Sequence, residues 1–490
     1  MNFMLEQIAE LAQRKLLATK WLLAPSIRAG NQWLEKIARS GTPAVGFQVM
    51  TLPHLARELA VRQLATEEVT KLPAFAGTLL VDRLLGEQGE YLKQSENSAG
   101  LAGAVLTAIE QLRLADVGTA DLDRISFEVQ GKGGDLRRLL EAYEAELKNL
   151  SVTDHAGILK LAIDHLQSTE SALPTDLVLI EPDSIEPLGL EQRLLDLFPE
   201  DVRHKIPHSM PEKPASNIER LCFLTHPTEA TAPLTDPSVD LFTAVGEVNE
   251  VREVLRRLLS GAIPLDHAEL LHTDYTTYVP LIYEMAAGLA ANHQTDNGAV
   301  LSVPVTFAEG VPAHFGRPGR ALSAWLHWMR EDFDQLLLVR MLHEGLLKIE
   351  GEDASRSGAT SVLRTLAIGS SAERYLVKID QQIDRVHQKI ADFEKKQGDD
   401  DHPGLPEYLE REKANLLAVR HLSERLLTLS QVETGIELLA SASTFLTELA
   451  YGQTEIDNYA RDGLLTDIRA MQQWLPQLGE PTKAQMTAHL

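Results

Sequence analysis

The chain reads as an α/β protein built on a parallel sheet, and three observations predict it. Short apolar strands alternate with amphipathic helices near the start, a long and almost wholly helical stretch follows, and another apolar strand comes after it at 176–180. Strands interleaved with helices cannot pair through tight hairpins, so they are expected to lie side by side and parallel.

Residues 4–17 place apolar side chains at helical spacing, and Lys20 to Pro25 read as a short buried strand. The pattern then predicts a helix over Ile27–Ala38, a strand over Gly46–Met50, and a helix through Pro53, Leu55, Leu59 and Val61 capped by Thr51. From about 70 to 170, AGAVLTAIEQLRLADV, DLRRLLEAYEAELKNL and DHAGILKLAIDHL carry apolar residues three and four apart, with turns at Gly118 and Gly131–Gly134. A helical insertion into the sheet domain is the simplest reading. The sheet resumes at Asp176–Ile180, passes into an acidic turn, Glu181-Pro182-Asp183, and continues as a helix through Leu188, Leu194 and Leu197.

Residues 199–238 are rich in proline and polar side chains and are expected to be a linker or sheet edge, with one strand candidate at Arg220–Leu224. A second α/β block is expected from strands at Val239–Ala244, Ala268–His272 and Val303–Phe307 and helices at Val248–Leu259 and Thr277–Ala287. Beyond Ala321 the pattern is helical, with polar loops at Glu350–Ser357 and Glu394–Asp401.

With 490 residues, 44% of them hydrophobic, the chain has material for several cores, roughly two to four domains by length. Its 71 acidic and 46 basic side chains give a net charge of -25, which disfavours a broad nonspecific nucleic-acid footprint. Any such contact must be local. The single cysteine, Cys222, leaves no intrachain disulfide framework and no thiolate cluster for zinc or iron–sulfur. No apolar run reaches the roughly 18–20 residues of a membrane span, and no secretory signal is visible, so cytoplasmic residence is the default expectation.

The order of α/β block, helical insertion, α/β block and helical region resembles superfamily 1 helicases, in which two RecA-like domains each carry a helical insertion. GEVNEVREVLRRLLSGAIPLDHAELLHTDYTTYVPLI, followed by VPVTFAEGVPAHFGRPGRALSAWLHW, is similar to the second RecA-like domain of the RecB/AddB-like helicase-nuclease family. That family similarly places a Glu-rich helix, a strand ending in a basic residue, a Tyr a turn later, then a short strand and a glycine-rich turn. The first half resembles the degenerate first domain of PD-(D/E)XK-family proteins of this group. It does so through APSIRAGNQW, TLPHLARELA, EQLRLADVG, GKGGDLRRLLEAYEAEL and the Asp154-His155-Ala156 turn. These motifs are short, so the weight lies in their order.

The resemblance implies two RecA-like, P-loop NTPase-like parallel-sheet domains. The first would span 1–70 plus 171–235, its helical insertion 71–170, the second domain 236–320, and a helical domain 321–490. It also implies a longer parent enzyme ending in a PD-(D/E)XK nuclease, where carboxylates hold magnesium and a lysine positions water. Residues 371–490 show no strand pair with that acid-acid-lysine set, so the nuclease and its magnesium are expected outside these residues. No cofactor is expected within them.

A working phosphate loop needs small residues, a lysine and a hydroxyl. Aligned on the family's loop, Gln32 stands at a glycine, Trp33 at the lysine and Leu34 at the hydroxyl. Alternatively the loop is deleted and the segment belongs to the next helicase motif, or it is an ordinary strand-to-helix turn with Trp33 packed on the sheet. The strand at 177–180 resembles the one that carries the family's metal-binding Asp and catalytic Glu, whose places fall on Glu181 and Pro182. Pro182 cannot transfer a proton. Glu181 or Asp183 either binds a cation or simply ends the strand and caps a helix. His272 stands where the family frequently has a phosphate-reaching arginine, and Tyr278 reads as a packing residue.

Five residues are candidates for DNA contact. Lys132 lies in GKGG, which is either an interhelical turn or a contact to the DNA backbone. Arg252 and Arg256, with Arg257, either face DNA or balance Glu247, Glu250 and Glu253 along one helix. Arg317 and Arg320 adjoin Gly316 and Gly319, which would let backbone approach phosphate. No catalytic group and no metal site stands out.

The sequence therefore predicts a catalytically inactive, helicase-like scaffold of a DNA repair or recombination exonuclease. It would bind single-stranded DNA or a DNA-processing protein partner, and no membrane. The alternatives are a protein-interaction module without DNA binding and an ATP-dependent helicase/nuclease subunit with a nonstandard nucleotide site.

Overall fold

A computed structural model describes residues 3–92, 98–124, 127–168, 173–207, 216–224, 227–261, 263–265, 268–292, 305–308, 310–395, 405–479, 481–483 and 486–487. The chain forms two units. Unit 1 comprises 1–77, 84–95 and 101–308, and unit 2 comprises 78–83, 96–100 and 309–490.

Unit 1 opens with α1 (Phe3–Arg14), β1 (Thr19–Leu23), α2 (Ile27–Arg39), β2 (Phe47–Met50) and α3 (Leu52–Thr66). Thr51 caps α3 as expected, accepting the His54 N–H at 3.4 Å. There follow β3 (Thr70–Lys71), α4 (Ala74–Gln88), α5 (Ser98–Leu114), α6 (Thr119–Leu122), α7 (Gln130–Asn149), β4 (Val152–Thr153) and α8 (His155–Ser168), with residues 78–83 of α4 and 98–100 of α5 counted in unit 2. Then come β5 (Leu177–Pro182), α9 (Gly189–Leu195) and β6 (Arg203–Ile206).

The main sheet has the order β2-β1-β5-β6, and every pairing in it is parallel. Side chains alternate across a strand, and here both faces are apolar. Trp21, Leu23, Leu177 and Leu179 point into one core with Leu55 and Leu59 of α3, Leu159 of α8 and Leu194 of α9. Leu22, Val178, Ile180 and Ile206 point into the other, with Ile8 of α1 and Ile37 of α2. The result is three layers, helices over both faces of a parallel sheet. Lys20 is fully buried in this sheet. Its ammonium is satisfied by three carbonyl oxygens, those of Leu16 (3.1 Å), Ala18 (2.9 Å) and Val45 (3.0 Å).

The helical insertion between β2 and β5 is present, together with a two-residue parallel ladder that the pattern did not announce, Thr70 beside Val152 and Lys71 beside Thr153. Several local expectations are corrected. Glu181 and Pro182 are not in a turn: β5 continues through them because β6 lies alongside, Glu181 beside Lys205 and Pro182 beside Ile206. That partner strand is the edge of the sheet, the second of the two readings of 199–238, whereas Arg220–Leu224 belongs to a 3-10 helix, Glu219–Leu224. The GKGG run forms the first turn of α7 and not an interhelical loop.

The strands expected at 239–244 and 268–272 form no ladder among the described residues, nor do residues 305–307, while 303–304 lie outside them. Instead α10 (Glu247–Ser260) and α11 (Tyr275–Asn292) pack through Val251, Leu255 and Ile282. Leu270, Val305 and Phe307 lie against that helix pair, so their apolar surface is covered without strand pairing. Part of the loop expected at Glu394–Asp401 also falls outside the described residues.

Unit 2 contains α12 (Arg317–Arg330), α13 (Gln335–His343), α14 (Arg356–Thr365), α15 (Ala372–Lys395), α16 (Leu405–Ser430), α17 (Gly435–Thr444) and α18 (Glu455–Leu478), with a π turn at Phe445–Leu449. Two fully buried tryptophans organise its core. Trp325 stacks on Phe445 at 4.8 Å and gives its indole N–H to Ser430 at 3.2 Å, and Trp328 gives its own to Tyr375 at 3.1 Å. Among the described residues, no helix is long and apolar enough to cross a membrane.

Candidate functional site

In an open parallel sheet, ligands bind beyond the strand C-termini where the strand order reverses. Here β1 leads outward to β2 and β5 leads outward the other way to β6, so the reversal falls between β1 and β5. The groups at that point are the turn Ala24-Pro25-Ser26 and the end of β5, Glu181-Pro182.

The turn is short because α2 begins at once. The Ser26 hydroxyl accepts the Ala29 N–H at 3.1 Å, capping the helix three residues after the strand ends. Gly30 lets α2 lie tightly on β2, since a Cβ there would collide with Val49 and come within 3.0 Å of the Ala24 Cβ. Trp33 is half-buried on the core of Leu22, Ile37 and Val178. Of the sequence alternatives, an ordinary strand-to-helix turn with Trp33 as packing describes this geometry.

Glu181 is 5% exposed, and both its oxygens are engaged by Arg203 on the neighbouring strand, at 2.5 and 3.0 Å. Arg203 also reaches Asp196 at 2.8 Å. The hydrogen bond to Glu181, assisted by that to Asp196, holds the guanidinium more firmly charged than usual. Glu181 therefore neither ends the strand nor caps a helix. Pro182 is buried in β5.

His272 is exposed in a non-strand segment, with its ring stacked on Tyr278 at 6.2 Å, and the Tyr278 hydroxyl donates to Glu250 at 2.6 Å. On α10, Arg252 donates to Asn249 at 2.7 Å, and Arg256 grips Glu253 at 2.6 Å through two nitrogens. Arg257 pairs with the same Glu253 at 2.8 Å and with Asp240, its guanidinium over the Phe242 ring. Helical ion pairing thus accounts for Arg256 and Arg257.

Lys132 is exposed. Its glycine neighbours serve packing: a Cβ on Gly131 would press on Tyr91, and one on Gly133 would collide with Phe127. The nearby amide cluster of Glu90, Tyr91 and Leu92 is filled by buried Asp135, which accepts all three N–H groups at 3.1, 3.0 and 2.9 Å.

Arg317 and Arg320 open α12. Gly316 faces Ala460, and Gly319 lies against the Ala313 carbonyl, so neither glycine exposes backbone for phosphate. The Arg317 N–H goes to Asp457 at 2.8 Å. Burial alone would raise the Asp457 pKa, but the N–H groups of Arg317, Thr454 and Gln453 and the Thr454 hydroxyl outweigh it and hold the carboxyl below its usual range.

A cavity of about 380 Å³ in unit 1 was not legible from periodicity. Lys71, Thr107, Glu110, Tyr143 and His155 line it. Behind them Arg113 binds Asp154 at 2.6 and 3.1 Å and pairs with Glu144. Asp154 also accepts the Gly157 N–H at 2.8 Å, fixing the start of α8, and His155 meets Glu191 at 3.2 Å. Burial, and then the nearby Asp154 charge, push the Glu110 carboxyl above its usual pKa. Tyr143 is fully buried, and among the described residues its hydroxyl has no hydrogen-bond partner. The site offers a carboxyl that protonates readily beside an imidazole and an ammonium. EQLRLADVG and the Asp154-His155-Ala156 turn contain four of its groups, but nothing in their spacing shows that they converge.

Among the described residues, no three His, Cys, Asp or Glu side chains gather as a metal set. No family model matches the chain, and no curated protein matches it.

Proposed function

We propose that the chain is a catalytically inert, helicase-like scaffold related to the RecB/AddB-like group, serving a DNA repair or recombination exonuclease by holding single-stranded DNA or docking a DNA-processing partner. The observation that carries the reading is the state of the sheet's reversal point. Where a nucleotide-hydrolysing relative needs a phosphate loop and free acids, this chain has a three-residue capped turn, a tryptophan half-buried against the core and a glutamate locked by arginine. A parallel sheet interrupted by a helical insertion supports a RecA-like first domain. For a second such domain the reading rests on the order of the sequence motifs, since the described residues of 236–320 form the α10/α11 pair without a strand ladder. Among the chain's surface cations are Lys132, Arg252 and Arg320, which are exposed, and Arg317, which is half-buried over the Tyr451 ring.

Isothermal titration with ATP and magnesium tests the inert reading. No saturable heat is expected, and magnesium-dependent binding accompanied by hydrolysis would overturn it.

A second reading, a protein-interaction module without DNA binding, is favoured by apolar side chains left open in unit 1. Leu241 is 90% exposed, Val245 89% and Leu271 86%, in a chain whose charge of -25 repels polyanions. Anisotropy with a labelled single-stranded oligonucleotide at low salt separates a DNA-holding scaffold, which is expected to bind, from the interaction module, which is not.

A further inference from the structure

Unit 2 carries a cleft of about 240 Å³ along one side of α14, lined by His343, Arg356, Ser357, Thr360, Ser361 and Arg364. Among the described residues, no carboxylate lines it. With 71 acids to 46 bases in the chain, a patch holding two arginines and no acid runs against composition. Elsewhere, arginines such as Arg113, Arg203, Arg256, Arg420 and Arg425 are tied to Asp or Glu. Among the described residues, Arg356 and Arg364 have no such partner.

The patch is held in shape by what surrounds it. The Arg356 guanidinium lies over the Tyr451 ring at 5.2 Å, and Arg317 lies over the same ring at 5.4 Å. Gly345, at a φ of +68°, leaves room for Arg356, because a Cβ there would strike the guanidinium. The start of α14 is anchored: Ser355 accepts the Gly358 N–H at 3.1 Å, and Asn415 accepts the Ser355 N–H at 2.9 Å. These amides are therefore already engaged, and recognition falls to the side chains.

We infer that this cleft holds the phosphodiester backbone of single-stranded nucleic acid, with Arg356 and Arg364 each on a phosphate and with His343 and Ser361 as hydrogen-bond partners. Arginine and hydroxyl side chains are the usual partners of nucleic-acid phosphate. The two arginines are eight residues apart, about 12 Å along the helix, a span that suits repeated phosphates better than a single ion. Among the described residues no Phe, Tyr or Trp lines the cleft to stack on a base, so the contact is to backbone and indifferent to sequence. The inference rests on the DNA-holding reading above and names where the strand lies.

The test is fluorescence anisotropy of a labelled oligo-dT with the full chain across a salt series. Wild type is expected to bind at low salt. Arg356→Ala/Arg364→Ala should lose about tenfold in affinity and flatten the log–log salt slope by about 1.4, two phosphate contacts on a single strand. Both positions are exposed, so an unchanged melting temperature serves as the folding control. Arg356→Lys/Arg364→Lys should recover part of the loss, since the charge returns without the forked geometry. If wild type binds and the double alanine variant matches it in affinity and slope, this cleft is not the site and the scaffold reading survives. If wild type does not bind at all, DNA holding and this inference fall together. Displacement of the oligonucleotide by inorganic phosphate beyond matched sodium chloride would mark a small-anion site and also overturn the inference.

Discussion

Arg203 of β6 holds Glu181 of β5 by both carboxylate oxygens, across two adjacent parallel strands, with each side chain less than a tenth exposed. A buried pair gains from mutual attraction but loses hydration on both sides, so breaking it costs far more than replacing it. Arg203→Met should therefore destabilise unit 1 by about 3–5 kcal/mol in urea unfolding, while Glu181→Gln/Arg203→Met should regain most of that loss. A single variant as stable as wild type would show that the pair does not secure the sheet.

Gly30 and Val49 make opposite demands on a substitution. Alanine normally favours a helix interior over glycine by about 1 kcal/mol. At Gly30, however, the added methyl meets Val49 and Ala24, and overpacking of this kind costs about 1–3 kcal/mol. Gly30→Ala is expected to lower the melting temperature, and Val49→Ala in the same chain should restore part of it. A rise in melting temperature for Gly30→Ala alone would mean that α2 does not sit tightly on β2.

Asp457 gives unit 2 an acid-sensitive joint. Its folded pKa is depressed below the ordinary value of 3.8, so its stabilising contribution is complete above that value and is lost as pH falls through the folded one. Asp457→Asn should cost about 1–3 kcal/mol near neutrality. The gap between the variant and wild type should narrow as unfolding is followed from pH 6 down to about pH 3. A gap that stays constant over that range would rule out a charged Asp457 as the group joining α12 to α18.

The central strands were legible in the sequence because burial on both faces leaves an uninterrupted apolar run. Trp21-Leu22-Leu23 and Leu177 to Ile180 announce themselves that way, and Thr51 marks its helix by cap chemistry alone. β6 was legible only as a sheet edge somewhere within 199–238, because an edge strand needs little apolar content. Arg203-His204-Lys205-Ile206 looks like linker until Glu181 supplies a reason for Arg203 to be there. The opposite error arose at Ala268–His272, where apolar residues resembled a strand although Leu270 takes its cover from a helix pair and Leu271 stands open. Periodicity records which side chains seek cover, not what covers them. For the same reason Arg356 disappeared into a polar stretch read as loop, and only its placement with Arg364 and His343 gives it meaning. Lys132, Arg317 and Arg320 drew notice through neighbouring glycines that proved to be needed for close packing.

Placing β5 between β1 and β6 has a consequence for synthesis. β1 ends at Leu23, and the strand that completes its inner side begins only at Leu177. At about 5–20 residues per second, the ribosome needs roughly ten to thirty seconds to bring that second edge into reach. Throughout this interval the nascent β1–β2 ribbon offers an unpaired, apolar margin to whatever passes, a template for wrong pairing. The insertion helices emerge during the wait, which makes their early collapse, or the shelter of a holding chaperone, a condition for the sheet to close correctly.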